Sequence, residues 1–192
     1  NMVKKWDWGG SGEDIYHDIE SRRNGITYRG NLARLIEALI NEDKLKEAEE
    51  IADIAMEKMP VDKFGYHSLL EPFISAYYEV GNIEKGRNLF KEVTKVYQEN
   101  LVYYSGLDEE DIMRFFEDKI LLDIQRYRSL VDLLFVYNDK EFAMEEMKTY
   151  NNYVGLLEEF FGTEEELEEP IDDIDIQSIL NDTIKDSIVP EE

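Results

Sequence analysis

Apolar and small residues recur along the chain in one order, three times over. Each set has four apolar residues at helical spacing, then a small residue sixteen positions after the first of them, then a sixth residue four positions later. The three sets are Leu32, Leu35, Ile36, Leu39, Ala48 and Ala52; Leu70, Phe73, Ile74, Tyr77, Gly86 and Phe90; and Tyr127, Leu130, Val131, Leu134, Ala143 and Met147. Apolar residues three and four apart share one face of an α-helix. The pattern therefore predicts antiparallel helix pairs that cross closely at the small residue.

This spacing is typical of the tetratricopeptide repeat, a unit of two helices that stacks on its neighbours. Residues 29–62 fit the roughly 34-residue length of that unit. We therefore predict an all-α fold, arranged as a tetratricopeptide-like solenoid of about three antiparallel helix pairs.

The first helices of the array have readable ends. Helical periodicity begins near Arg29, and the first pair is predicted as helices over 29–40 and 45–59. Pro60 ends the second of these helices, because proline cannot continue a helix through its own nitrogen.

The later helices are predicted to be longer. A turn at 81–82 precedes a long helix, and Asp108 is expected to cap a helix that continues unbroken to Tyr137. After a turn at 138–139, the last helix is predicted over 140–161.

Composition divides the chain into three parts. Residues 1–28 are predicted to be an irregular N-terminal strap, in which Trp6 and Trp8 lie beside closely spaced glycines. Residues 29–161 are the helical-repeat domain. Residues 162–192 are an acidic tail, where apolar residues at helical spacing predict a short helix that caps the open end of the solenoid. Binding of a partner by that helix is the alternative.

The charge of the chain narrows its partners. The formal net charge is −24, and residues 161–192 carry 12 acidic side chains against 1 basic one. So acidic a surface repels nucleic acid and anionic lipid, both of which are bound through Lys and Arg. We therefore expect a protein or peptide partner of basic or apolar character, no nucleic acid, and a membrane association only through a missing N-terminal portion.

Residues that carry chemistry are sparse. The chain has no cysteine, and its two histidines, His17 and His67, lie outside any metal-binding motif. No phosphate-binding glycine loop and no nucleophile elbow are present. We therefore predict that this chain is not an enzyme, has no catalytic residue, and holds neither a metal nor another cofactor.

A binding groove is expected on the first helices of the pairs, which line the concave face of tetratricopeptide arrays. The candidate ligand-binding residues there are Glu37, Glu71, Tyr78, Arg128, Asp132 and Phe135. One tetratricopeptide subclass grips a peptide's C-terminal carboxylate with Lys, Asn and Arg; here acidic residues replace that clamp, so a basic or apolar peptide fits better. The alternative is that the aromatic residues Tyr78 and Phe135 complete the core.

The order of several short strings resembles one protein family. The strings are Lys5-Trp6-Asp7-Trp8-Gly9-Gly10, Tyr16 to Asp18, Arg29-Gly30-Asn31-Leu32-Ala33-Arg34-Leu35, Tyr103-Tyr104-Ser105, and Leu133-Leu134-Phe135-Val136-Tyr137. Together they resemble the soluble C-terminal region of large bacterial multi-pass membrane proteins of unknown function. The membrane portion of those proteins is similar to protein O-mannosyltransferases, which use lipid-linked sugars.

The resemblance implies a role without catalysis for this chain. In such glycosyltransferases the acidic catalytic residue lies in the membrane portion, so the soluble region would scaffold the protein or position an acceptor. It would lie on the extracytoplasmic (periplasmic) side of a bacterial inner membrane, and the chain would be a fragment of a longer protein. The alternative is a free-standing cytoplasmic tetratricopeptide-like adaptor.

Overall fold

A computed structural model of the chain describes Lys5 and residues 7–157. Over this range every regular element is a helix and no strand is found, so the all-α prediction is confirmed. None of the helices in the range is long and apolar enough to cross a membrane. The predicted acidic tail, 162–192, lies outside the described residues. The last helix, predicted over 140–161, ends as an α-helix at Val154, where a 3-10 turn follows.

Helices of very different length make up residues 7–157. The α-helices are α1 (Ile19–Asn41), α2 (Leu45–Lys58), α3 (Val61–Phe64), α4 (Glu71–Glu79), α5 (Ile83–Ser105), α6 (Glu109–Phe115), α7 (Leu121–Val136) and α8 (Lys140–Val154). Short 3-10 turns lie at His67–Leu69 and Gly155–Leu157, and a π-helical turn spans Phe116–Ile120. Helices α1 and α2, α4 and α5, and α7 and α8 pack as hairpins, here called hairpins 1, 2 and 3, and hairpin 2 packs against the other two.

The three hairpins turn in the same way. In each, one residue adopts the left-handed conformation: Asp43 (φ 59°), Gly81 (φ 83°) and Asn138 (φ 60°). The amide of the next residue then reaches back five positions, as in Lys44 N to Leu39 O at 2.8 Å. The matching bonds are Asn82 N to Tyr77 O at 2.8 Å and Asp139 N to Leu134 O at 2.9 Å. This is the Schellman arrangement, which satisfies the last carbonyls of a helix.

The small residue of each set lies where the pattern predicts. Ala48 and Ala143 are 0% exposed, and Gly86 is buried as well. A Cβ at Gly86 would lie only 2.9 Å from the ring of Tyr78 on the facing helix, so the backbone of α5 passes very close to α4. Close crossing at these positions is what lets each hairpin bury both of its apolar faces.

The predicted start of the first helix, near Arg29, is wrong. Helix α1 begins ten positions earlier, at Ile19, where the Asp18 carboxylate accepts a bond from Ser21 N at 2.7 Å. The buried face of α1 consists of Gly25, Arg29, Leu32 and Ile36, which recur every three or four residues. The period continues upstream of Leu32, but a glycine and an arginine carry it, and neither counts as apolar.

Arg29 joins α1 to the end of α2. Its side chain is 1% exposed; Nη2 donates to Met59 O and Nη1 to Gly65 O, each at 2.6 Å. The guanidinium also lies over the ring of Phe64, 5.9 Å from its centroid. Burial lowers the pKa of Arg29 to about 10, although the side chain remains charged at neutral pH. Arg29 therefore holds the segment between α2 and α4 against α1 through hydrogen bonds from a buried charge.

The segment before α1 packs as a strap over residues 7–18, against α2 and α3. Lys63 Nζ donates to Glu13 O at 2.6 Å and to Gly12 O at 3.2 Å. The His17 ring lies against Phe64, with centroids 4.4 Å apart. Residues 19–28, predicted as part of the strap, belong to α1 instead.

The long helix predicted from Asp108 to Tyr137 is interrupted. Asp108 caps α6 as predicted, accepting a bond from Asp111 N at 2.9 Å. The π-helical turn at 116–120 then separates α6 from α7. Such a turn holds one residue more than an α-helical turn. Hydrophobic periodicity did not reveal it, because Ile112 before the turn and Ile120 at its end are both buried.

The joint between hairpins 1 and 2 is an ionic network. Lys85 Nζ donates to Glu49 Oε1 at 2.8 Å and to the two oxygens of Asp53 at 2.8 and 2.7 Å. Asn82 adds a bond to Glu49 at 2.7 Å, and the Tyr77 hydroxyl donates to Asp53 at 3.0 Å. Acidic side chains of α2 thus face a lysine of α5.

The joint between hairpins 2 and 3 uses the same positions with the charges exchanged. Arg87, which occupies the place in α5 that Glu49 has in α2, donates through Nε and Nη2 to Asp139 at 2.8 and 2.6 Å. Its guanidinium also lies 5.0 Å from the ring centroid of Phe142. The Asp139 side chain is 8% exposed, and its bonds with Arg87 hold the pKa of that carboxyl below its usual range.

Candidate functional site

The residues predicted to line a groove occupy equivalent positions in the hairpins. Glu71 and Arg128 are equivalent, as are Tyr78 and Phe135, and Glu37 is equivalent to Asp132. Five of the six are exposed on the first helices of their hairpins, and Tyr78 is not. Ligand binding by these residues stays a prediction. The structure shows which of their side chains already have partners.

Tyr78 packs inside the joint between hairpins 2 and 3. Its side chain is 8% exposed, and its hydroxyl donates to Asp139 Oδ2 at 2.8 Å. Its ring stacks on Tyr137 with centroids 5.1 Å apart, and Tyr137 in turn donates to Glu79 at 2.9 Å. Burial raises the pKa of Tyr78 far above its usual value. This placement matches the alternative for Tyr78, that its ring completes the core.

Arg128 and Asp132 form an ion pair one helical turn apart on α7. The guanidinium Nε lies 3.1 Å from Asp132 Oδ1, and both side chains are about half exposed, at 51% and 52%. The Arg128 guanidinium also lies over Tyr150 of α8, 5.9 Å from the ring centroid. An exposed pair of this kind contributes only about 0.3–0.5 kcal/mol to stability. Both charges therefore remain accessible to a ligand.

Glu37, Glu71 and Phe135 present the rest of the exposed surface. Phe135 is 38% exposed at the end of α7, and Glu37 is exposed near the end of α1. Glu71 begins α4; partial desolvation raises the pKa of its carboxyl, although the residue as a whole stays exposed. Acidic groups with one aromatic ring are what a basic or apolar ligand would meet here.

The structure adds a polar cluster that the sequence did not reveal, here called the His67 cluster (His67, Tyr97, Asn100, Tyr104 and Asp123). Asp123, 8% exposed, accepts from the Tyr104 hydroxyl and from Asn100 Nδ2, both at 2.9 Å. The His67 ring meets Tyr97 edge-on, with centroids 4.6 Å apart. The cluster ties the 3-10 turn before α4 to α5 and α7.

Burial dominates the electrostatics of the His67 cluster. It lowers the pKa of the His67 ring, while the charge of Asp123 raises it and that of Arg126 lowers it. Nε2 of His67 is buried, and within residues 7–157 no hydrogen-bond partner reaches it. The neutral ring is therefore the form that this site favours.

The His67 cluster should make stability depend on pH. A histidine whose pKa is lower folded than unfolded takes up a proton more readily in the unfolded chain, so stability falls as pH drops below about 6.5. We expect a His67→Gln variant to lose less stability than the parent between about pH 7.5 and 5.5. Urea unfolding at both pH values measures it. Equal losses for parent and variant would contradict the prediction.

The cluster was hidden from sequence reading because its members come from three elements. The ring of His67 packs on Tyr97, which lies thirty positions along the chain. Asn100 and Asp123 are joined across 23 positions. A buried Asp inside an amphipathic helix was the available signal, since buried carboxylates require partners.

The hydrogen bonds of the His67 cluster hold helices together. The Asp123 carboxylate already accepts two hydrogen bonds, and such a cluster fixes α5 relative to α7. In the part of the chain that the structure describes, no three His, Asp or Glu side chains come together as metal ligands.

Comparison with known protein families, characterised proteins and solved structures found no match for this chain.

Proposed function

We propose that the three hairpins form a tetratricopeptide-like solenoid that binds a protein or peptide without catalysis. The observation that carries the proposal is the recurrence of one unit: the same left-handed turn and the same buried small residue in all three hairpins. Stacked helical units of this kind present an extended surface on their first helices, and such surfaces serve recognition. The charged and aromatic side chains of the joints already contact the neighbouring hairpin, so the exposed surface of α1, α4 and α7 is the one left for a ligand.

The ligand that suits this face is a basic or apolar peptide. Glu37 and Asp132 are exposed acids on α1 and α7, and Phe135 adds a partly exposed ring. With a net charge of −24, the whole chain also attracts cationic partners over a distance set by ionic strength. Binding should therefore weaken as salt rises.

We further propose that the chain is the extracytoplasmic soluble portion of a membrane glycosyltransferase-like protein, where it scaffolds the enzyme or positions an acceptor. What supports this is the order of sequence strings from Lys5 to Tyr137. Reading the coding sequence upstream of Asn1 tests it directly. Multiple apolar segments of about 20 residues each are expected there. A start codon at Met2 with no such segments upstream would refute it.

Charge reversal on the first helices should weaken peptide binding. We expect fluorescently labelled peptides that alternate Lys with Phe or Leu to bind the parent chain, measured by fluorescence anisotropy. The double variant Glu37→Lys with Asp132→Lys should bind at least about tenfold more weakly, because two favourable charges become repulsive. The matched control is Glu92→Lys with Glu99→Lys, which reverses two exposed acids on α5, a second helix, and so changes the net charge by the same amount.

Two results would refute this binding surface. One is equal loss of affinity in the α1/α7 double variant and in the α5 control, since net charge alone would then explain binding. The other is no binding by any peptide of the set at low salt. Circular dichroism of each variant checks that the helices are retained.

A further inference from the structure

The surface by which each hairpin packs on the next is here called its joining face. The residues that form it occupy equivalent positions in the three hairpins. Glu49 of α2 contacts Asn82 and Lys85 of hairpin 2. Arg87, its equivalent in α5, contacts Asp139 and Phe142 of hairpin 3. The equivalent residue in α8 is Met144.

The joining face of hairpin 3 is apolar and exposed. Met144 is 59% exposed, whereas Arg87 makes a two-bond ion pair at the same position. Phe135, the equivalent of the buried Tyr78, is 38% exposed, and Val136 beside it is 76% exposed. Neighbouring exposed apolar residues mark interaction surfaces. This face has the position of a joint and, within the described residues, no hairpin packed on it.

A second copy of the chain would not fit this face head to tail. The matching surface on hairpin 1 holds Glu42, Lys44 and Glu47, all exposed and charged. In such stacking Glu47 would face Lys148. Lys44, however, would lie against Met144 and lose its hydration, so each contact would gain one ion pair where a two-fold arrangement of α8 gains two. Open-ended stacking of copies is therefore disfavoured.

The charges on α8 are instead complementary to themselves. Glu141, Met144 and Lys148 are three and four positions apart, so they share one face of α8 with the apolar residue in the middle. Both charged side chains are exposed, and neither enters an ion pair within the described part of the chain. If two α8 helices lie antiparallel and centred on Met144, each Glu141 faces Lys148 of the other copy.

We propose that two copies of this chain form a symmetric dimer through the joining face of hairpin 3. Met144 packs against its counterpart across the two-fold axis, with Phe135 and Val136 beside it, and two Glu141–Lys148 pairs flank this apolar centre. In a two-fold interface each contact occurs twice, which makes such a pattern complete in itself. The five residues named on each side are far fewer than the roughly 20–30 of a standard interface, so the dimer is weak and its fraction rises with concentration.

Charge swaps test the dimer. Sedimentation equilibrium of the full chain at physiological salt should show a monomer–dimer equilibrium. Glu141→Lys and Lys148→Glu should each weaken it by about tenfold, because both pairs become repulsive in a symmetric interface. The two variants change net charge in opposite directions, so a general charge effect cannot weaken both.

Recombining the swaps makes the test specific. An equimolar mixture of the two single variants should form a heterodimer as strong as the parent dimer, and the double variant Glu141→Lys with Lys148→Glu should regain self-association. Met144→Glu should leave the chain monomeric. Lys46→Glu, a reversal at the position in α2 equivalent to Glu141, is the matched control and should have no effect.

Several outcomes would overturn the proposal. These are a parent chain that stays monomeric over the whole accessible concentration range, as expected if the helix predicted within 162–192 caps this face instead, a dimer that neither single swap weakens, and single variants that do not complement each other when mixed. Circular dichroism of each variant shows whether the helices remain, which separates loss of the dimer from loss of the fold.

Discussion

Replacing Arg29 by alanine should cost about 3–5 kcal/mol of the free energy of unfolding, which would leave a chain of this size close to unfolded. The substitution removes a 1% exposed side chain and strands two carbonyls, the buried Met59 O and the partly buried Gly65 O, which each lose a bond of 2.6 Å. It also leaves a cavity between α1, α2 and α3. Urea unfolding followed by circular dichroism measures the loss.

The matched control for Arg29 lies one and a half turns along the same helix. Arg34 is exposed, and its bonds go to Gly30 and Asn31 of α1 itself. Arg34→Ala should therefore change stability by less than about 0.5 kcal/mol. Arg29→Lys should recover part of the loss, since it keeps the charge but cannot span both carbonyls. Similar losses for both alanine variants would show that the buried guanidinium stabilises nothing beyond its helix.

Replacing Gly86 by leucine should cost about 2–3 kcal/mol, because it overpacks the closest crossing in hairpin 2. A Cβ there would already lie 2.9 Å from two ring carbons of Tyr78. That ring cannot move aside freely, since it stacks on Tyr137 and its hydroxyl bonds Asp139. The loss is measured by urea unfolding of the variant against the parent.

Gly30→Leu is the control that isolates the steric effect. Gly30 is also helical, but it is exposed and nothing lies within 4 Å of a Cβ built on it. Because leucine is the better helix former, this variant should gain about 0.5–1 kcal/mol. A loss of stability for Gly86→Leu together with a gain for Gly30→Leu would confirm the close crossing. A stabilised Gly86→Leu would contradict it.

The hairpins were predictable because local signals and the hydrophobic pattern agree in them. Turns at 81–82 and 138–139 were read from glycine, asparagine and aspartate, and the structure places a left-handed residue, Gly81 or Asn138, in each. The cap at Asp108 was likewise readable from a single residue type. Where one short-range rule decides the backbone, sequence alone suffices.

The start of α1 shows where that reading fails. Its upstream half is buried through Gly25 and Arg29, which an apolar pattern does not count. Gly25 is required because a Cβ there would meet the Phe64 ring at 2.7 Å. Arg29 is tolerated because carbonyls distant in the sequence accept its hydrogen bonds. Both reasons lie in residues of the next helices. Long-range contacts of this kind are absent from any local window.

The candidate site was predictable only as a set of positions. Helical spacing correctly placed Glu37 and Asp132 on exposed faces of their helices. It could not tell that Tyr78 turns into a joint while Phe135, its equivalent, remains partly exposed, because that depends on whether another hairpin follows. The His67 cluster depends on three elements meeting, and periodicity carries no information about such meetings.

The exchanged charges at the two joints have a consequence for rearranged versions of the chain. Glu49 and Asp53 meet Lys85 at the first joint, and Arg87 meets Asp139 at the second. If hairpin 2 were excised, Glu49 of α2 would confront Asp139 and Asp53 would face Phe142, so repulsion and an unpaired carboxylate would replace the present attraction. The hairpins are therefore not interchangeable. The charges at their joints favour a single order along the chain, so deleting or shuffling a hairpin should destabilise the protein.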